Sequence, residues 1–246
     1  MSVCAATELM ILAFHDWALV YLILITGACL QGLIGFGLGL FSAPLLFLIA
    51  PQLVPVPMIL NALVVTLALL LANRKYINKQ LAPFSILGGS VGVFLATAVI
   101  TYVDLGQYQI LFGLSIVCAV LLSVAGFTPQ VSSVTSAVAG SLSGFMGTLT
   151  SAGGAPMGLL YQTAHQEQIK ANLSLFFVYI NALSIVSLSM AGVVSKQDLW
   201  LFVYSVPAVI VGYLLSLFLR RFLNINVIRP LILFIALCSG LLCIFA

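Results

Sequence analysis

Apolar residues in this chain neither alternate nor recur on one helical face; they come in long runs cut by short polar, charged or Pro/Gly-containing breaks. A run of about 20 residues, wound as helix, covers the roughly 30 Å of a bilayer's hydrocarbon core. Such runs lie over residues 53–73, 82–103, 107–126, 170–192, 199–219 and 230–246, and each predicts a membrane-spanning helix. A membrane β-barrel would show a period of two instead. The fold class is therefore an all-α integral membrane protein. Two further apolar stretches differ: residues 18–49 and 131–163 are 32 and 33 residues long, glycine-rich and interrupted near the middle. As unbroken helix each would reach about 48 Å, too long for one crossing and too short for two.

The two odd stretches resemble each other. Gly32, Gly35, Ala43 and Pro44 pair with Gly144, Gly147, Ala155 and Pro156 at a constant offset of 112. Further along, Asn61-Ala62-Leu63 pairs with Asn181-Ala182-Leu183, Ser85 with Ser205, and Gly92 with Gly212, at an offset of 120. The chain reads as an N-terminal tail (1–16) followed by two copies of one unit, 17–127 and 128–246. Each copy is a broken glycine-rich segment and three spans.

Composition supports the membrane reading, since 63% of residues are hydrophobic and only 5% charged, too few charges to coat a soluble surface. The first 16 residues carry no Lys or Arg and predict no removable signal peptide. No basic patch suits a phosphate backbone, so no nucleic-acid partner is expected. Cys4, Cys29, Cys118, Cys238 and Cys243 form no CxxC and no Cys/His metal spacing, so neither metal nor cofactor is expected. The net charge of +3 bears on orientation. If each odd stretch were one crossing, Lys and Arg would divide four against four. If each enters and leaves by one face as a re-entrant pair of half-helices, seven of the eight (Arg74, Lys75, Lys79, Lys170, Arg220, Arg221, Arg229) share a side and only Lys196 is opposite. The second arrangement obeys the positive-inside rule. It places Glu8, Asp16, Asp104, Asp198 and both termini outside, leaves Glu167 inside, and inverts the second copy relative to the first.

A helix broken inside hydrocarbon strands backbone groups at several kcal/mol apiece unless protein or water receives them. Half-helix ends meeting near mid-membrane present free N–H groups and a positive dipole end, a ready anion site. The candidate substrate-binding residues are accordingly Gln31, Gly32, Gly35, Phe36, Gly37, Ser42 and Pro44 in the first copy, with Ser143, Gly144, Gly147, Thr148, Ser151, Gly153, Gly154 and Pro156 in the second. The competing reading is that the glycines only let helices pack. Asn61 and Asn181, central in their spans, either bind substrate or hydrogen-bond a neighbouring helix. Lys170 either reaches towards an anion or snorkels to the interface. No ionisable residue lies in the middle third of any span, and no nucleophile-base pair, His cluster or carboxylate dyad is present in the spans, which excludes a proton relay of the usual kind and argues against an enzyme. Residue chemistry asks for a small oxyanion that is not multiply charged.

The stretches GLIGFGLGLFSAPLL, GSLSGFMGTLTSAGGAPMGLLYQ and IKANLSLFFVYINALS resemble the sulfite exporter family TauE/SafE over nearly the whole chain. Phe41 and Ser42 stand where the second copy has Gly153 and Gly154, and Lys170 stands where many relatives carry Arg. The resemblance implies a transporter of sulfite or organosulfonates in a bacterial inner membrane, with a small anion and the bilayer as partners. Homo-oligomerisation is compatible with it. The expected mechanism is alternating access around a site between the two broken segments, and the competing mechanism is an anion channel with re-entrant filter segments.

Overall fold

A computed structural model describes residues 14–77, 82–124, 129–161, 165–220, 222 and 225–245. Expectations for the tail before residue 14, Lys79, Arg221 and the junction between the two copies lie outside these residues, as do the side chains of Asp16 and Arg229.

The described elements are all helical. The first broken segment is α1 (Phe14–Ile34), a π-helical turn (Leu38–Ser42) and α2 (Ala43–Ile49). It is followed by α3 (Val56–Asn73), α4 (Ala82–Tyr102) and α5 (Leu105–Val124). The second is α6 (Ser133–Thr150) and α7 (Gly154–Tyr161), followed by α8 (Gln166–Met190), α9 (Lys196–Leu219) and α10 (Ile225–Phe245). Among the described residues, six helices are long and apolar enough to cross a membrane: Trp17–Ile34, Val56–Tyr76, Pro83–Tyr102, Leu105–Val124, Glu167–Met190 and Lys196–Leu219. The protein is a multi-pass membrane protein.

The breaks do not cut their segments into equal halves. In the first, a long arm is followed by a short return, because the backbone reverses at Gly35 and Gly37, whose φ angles of 96° and 145° suit only glycine. In the second, α6 ends at Ser151, held in the left-handed region at φ 60° with its N–H on the Gly147 carbonyl at 2.8 Å. Pro156 then sits in the first turn of α7, where its missing N–H costs nothing.

Bare backbone contacts set the packing. Gly88 lies on Ala137 and Gly92 on Ser141, so α4 and α6 run parallel with main chains touching. Gly212 lies on Ile25 and Ala28, Gly32 meets Ser216, and the Tyr21 hydroxyl donates to the Tyr204 carbonyl at 2.7 Å, so α1 and α9 are parallel likewise. Ser90 against the Tyr179 hydroxyl at 3.1 Å and Ser187 donating to Thr97 at 2.8 Å align α4 with α8. The start of α3 (Val56, Ile59) clusters with Leu188 near the end of α8. Gly113 packs near Ile244 and Gly240 on Ile116, which makes α5 and α10 antiparallel. Exchanging each element for its counterpart in the other copy maps one neighbour onto another: α1 on α9 becomes α6 on α4, and α3 on α9 becomes α8 on α4.

Candidate substrate cavity

The two breaks touch. A side chain on Gly39 would overlap the carbonyl of Ser151, and one on Gly154 would meet the Phe36 ring. Beside this contact lies a cavity, bounded by both breaks and by the middles of α3 and α8. About 30 Å³ of it is open to the centre of a water molecule, roughly two waters' worth when one water needs about 10–15 Å³.

Eight of the candidate residues line this space: Gln31, Phe36 and Gly37 from the first break, Gly147, Ser151, Gly153 and Gly154 from the second, and Asn181 from α8. The other ten lie elsewhere. Gly32 receives Ser216 of α9, and Gly35 packs against Lys170. The Ser42 hydroxyl, beside Gly27, donates to the Ile23 carbonyl at 3.0 Å, which ties the π turn back onto α1. Pro44 opens α2, where its carbonyl faces the Cys243 thiol at 3.7 Å. Ser143 accepts the Met157 N–H at 3.1 Å and holds α7 against α6. Gly144 lies on the Gly89 carbonyl, Thr148 pairs with Ser184 at 2.7 Å, and Pro156 is buried in α7. Lys170 donates to the Gly32 carbonyl at 3.0 Å, a carbonyl near the end of α1 that the break deprives of its helical partner.

The paired asparagines fare differently. Asn61 Nδ2 donates to Ser205 at 2.7 Å, while its Oδ1 is buried without a partner. Asn181, 8% exposed, faces the cavity and finds no hydrogen-bond partner among the described residues. Its positional counterpart to Ser205 is Ser85, which bonds Tyr161 instead.

Gln31, 4% exposed, accepts the Leu38 N–H on Oε1 at 3.2 Å. The acceptor end of its carboxamide is thereby fixed on the π turn, and the amino end is left for the cavity. Both returns also begin at the cavity, the first through Gly39 and Leu40 of the π turn and the second through Gly153 and Gly154 at the start of α7, and the first N–H groups of a helical segment have no partner within it. Among the described residues, no Asp, Glu, Lys, Arg or His lines the space.

The lining includes Leu40, Ala62, Thr66, Ala152 and Phe177, which reading the motifs did not pick out. Thr66 follows Ala62, and Phe177 precedes Asn181, by four residues. One helical turn from the repeated Asn-Ala pair was the available signal.

Paired broken helices around a small space with no charged lining residue, beside six helices long and apolar enough to cross a membrane, are an arrangement that membrane transport proteins use. The family profile of the sulfite exporter TauE/SafE matches residues 19–243; the chain belongs to that family, one of membrane exporters of sulfur compounds. No curated protein and no solved structure matches the chain.

Proposed function

We propose that the protein is a secondary carrier for a small monovalent sulfur oxyanion, held between the two breaks and moved by alternating access, and that it is not an enzyme. The observation that carries this reading is the convergence on one cavity of two helix starts and two carboxamides, with no charged side chain among the lining residues. Helix starts favour anions by about 0.3–1 kcal/mol each, rising towards about 2 when partly buried, so several must combine to hold a desolvated ion. The residues assigned to the anion are Gln31, Gly37, Gly39, Gly153, Gly154 and Asn181.

The architecture assigned is two inverted repeats, 17–127 and 128–246. The support is directional. α6 runs with α4, α4 with α8, and α8 reverses into α9 through the turn after Met190, while α1 runs with α9. The long arm of the first copy therefore opposes that of the second. The end bearing Arg74, Lys75, Lys170 and Arg220 is assigned to the cytoplasm of a bacterial inner membrane. Trp17, Tyr21, Trp200 and Tyr204, whose rings pack together, form the outer aromatic belt, with both termini on that side.

Contact between the breaks at Gly39 and Ser151 favours a carrier over a channel, since a filter needs a continuous path. Counterflow in proteoliposomes with labelled sulfite, taurine and sulfoacetate is the test. Saturable counterflow is expected, with sulfite taken in preference to the two larger anions because the space is so small. Absence of protein-dependent flux for every anion refutes the carrier, and unitary currents establish the channel.

A further inference from the structure

We propose that Thr66 makes the cavity selective for anions that carry a hydroxyl, so that a protonated monoanion is preferred over an aprotic ion of the same size and charge. The inference rests on the reading of the cavity as an anion site and concerns which anion it holds. Thr66 is 1% exposed and lines the cavity from α3. Its hydroxyl hydrogen is directed to the helix carbonyls of Ala62 at 2.8 Å and Leu63 at 3.1 Å, so the hydrogen-bonding capacity that Oγ1 has left is its lone pairs. The second hydroxyl of the lining, Ser151, is committed the same way, donating to the Pro55 carbonyl at 3.3 Å. Against these two acceptors stand the donors: the amino end of Gln31, the amino end of the unpartnered Asn181 carboxamide, whose carbonyl adds an acceptor, and the N–H groups at the helix starts. A ligand suited to this lining accepts at most of its oxygens and donates from at least one, with Thr66 as the assigned acceptor. Hydrogen sulfite in its hydroxyl form, hydrogen carbonate and similar ions do both. A fully deprotonated anion leaves the Thr66 lone pairs facing negative oxygen in a desolvated space, or forces the hydroxyl to leave its carbonyl, and either weakens binding.

Hydrogen carbonate and nitrate are a matched pair of probes, since both are planar monoanions of four heavy atoms and differ by one hydroxyl. Their affinities are measured twice, as inhibition of labelled sulfite flux in proteoliposomes and as thermal stabilisation of the detergent-purified protein. Wild type is expected to bind hydrogen carbonate several-fold more tightly than nitrate. Thr66→Val, close in volume and leaving no orphaned partner because each carbonyl keeps its helical N–H, should lose that preference by weakening hydrogen carbonate alone. Thr66→Ser should retain it. Equal affinities in wild type, or a Thr66→Val change that falls equally on both ions, overturns the assignment. Stabilisation with the expected preference but no flux would refute the carrier and leave the role of Thr66 standing; flux without preference does the reverse.

Discussion

Gly147 and Gly153 face each other across the second break, and they should answer a methyl group differently. A Cβ on Gly147 would sit 3.6 Å from the Gly153 Cα, in ordinary contact, whereas one on Gly153 would overlap the Ser143 carbonyl and come within 2.9 Å of the Gly147 Cα. Gly147→Ala should fold with near-normal melting temperature and transport more slowly through a smaller cavity. Gly153→Ala should lose about 1–3 kcal/mol, the usual cost of overpacking against an unyielding backbone. Detergent-solubilised melting curves beside sulfite flux decide both. The asparagines offer the converse comparison. Asn61→Ala breaks the bond to Ser205 and should cost about 1 kcal/mol of stability with affinity near wild type; Asn181→Ala should leave stability within about 0.5 kcal/mol and weaken anion binding about tenfold or more. At this scale the repeat singled out Gly35 and Gly147, which lie at the breaks, along with Gly32 and Gly144, which pack against Ser216 and Gly89. It could not tell which of two identical Asn-Ala-Leu motifs would face the cavity, because that depends on Ser205 being free to pair while Ser85 is taken by Tyr161. Nor could it place Thr66, a small residue whose importance comes only from where its proton points.

Between helices, glycine serves a second purpose that the motif pattern hid. Gly92 and Gly212, matched at the offset of 120, each receive the backbone of a long arm, Ser141 of α6 and Ile25 of α1 respectively. A side chain at either would overlap a carbonyl oxygen, so Gly92→Ala and Gly212→Ala should destabilise by similar amounts, about 1–3 kcal/mol each. Gly192 is the control: a Cβ there meets nothing within 4 Å, and only its φ of 74° resists substitution, at about 1–2 kcal/mol. Parallel losses of melting temperature at the paired sites, whatever happens at Gly192, would show that the arms are held by main-chain contact. Hydropathy made the helical membrane character legible, because runs of apolar residues near 20 have few other outcomes. It put the break near the middle of residues 18–49, where Gly35 and Gly37 lie, but it did not register the length of the arm before that break. The reversal is decided by the positive φ angles at Gly35 and Gly37, and a hydropathy run registers no dihedral, so the full-length arm Trp17–Ile34 was read as half a helix.

Taken as a whole, the molecule places Lys170 and the end of α1 together at one end and the Trp17 to Tyr204 ring cluster at the other, which turns orientation into a labelling experiment. Cysteines introduced at Lys79 and at Asn226, on a cysteine-free background in intact cells, should both resist a membrane-impermeant thiol reagent, while one at Asp104 should react. Modification of Lys79 but not Asn226, or the reverse, would remove the inverted arrangement. The proposed duplication rests on the offsets of 112 and 120, yet nothing in them said how the two halves interlock. Each long arm packs against the fourth helix of the opposite half of the chain, α1 on α9 and α6 on α4. During synthesis α6 therefore finds its seat already built, since α4 precedes it. The first arm has no such luck: α1 enters the bilayer with a glycine-notched face and waits for most of the chain to be translated before α9 arrives to cover it. Folding order is thus asymmetric in a molecule whose finished contacts are paired: α1 is covered only once α9 has docked, with α10 still to follow onto α5. The same interlock means that the two halves, expressed as separate polypeptides, should recover function only when made together.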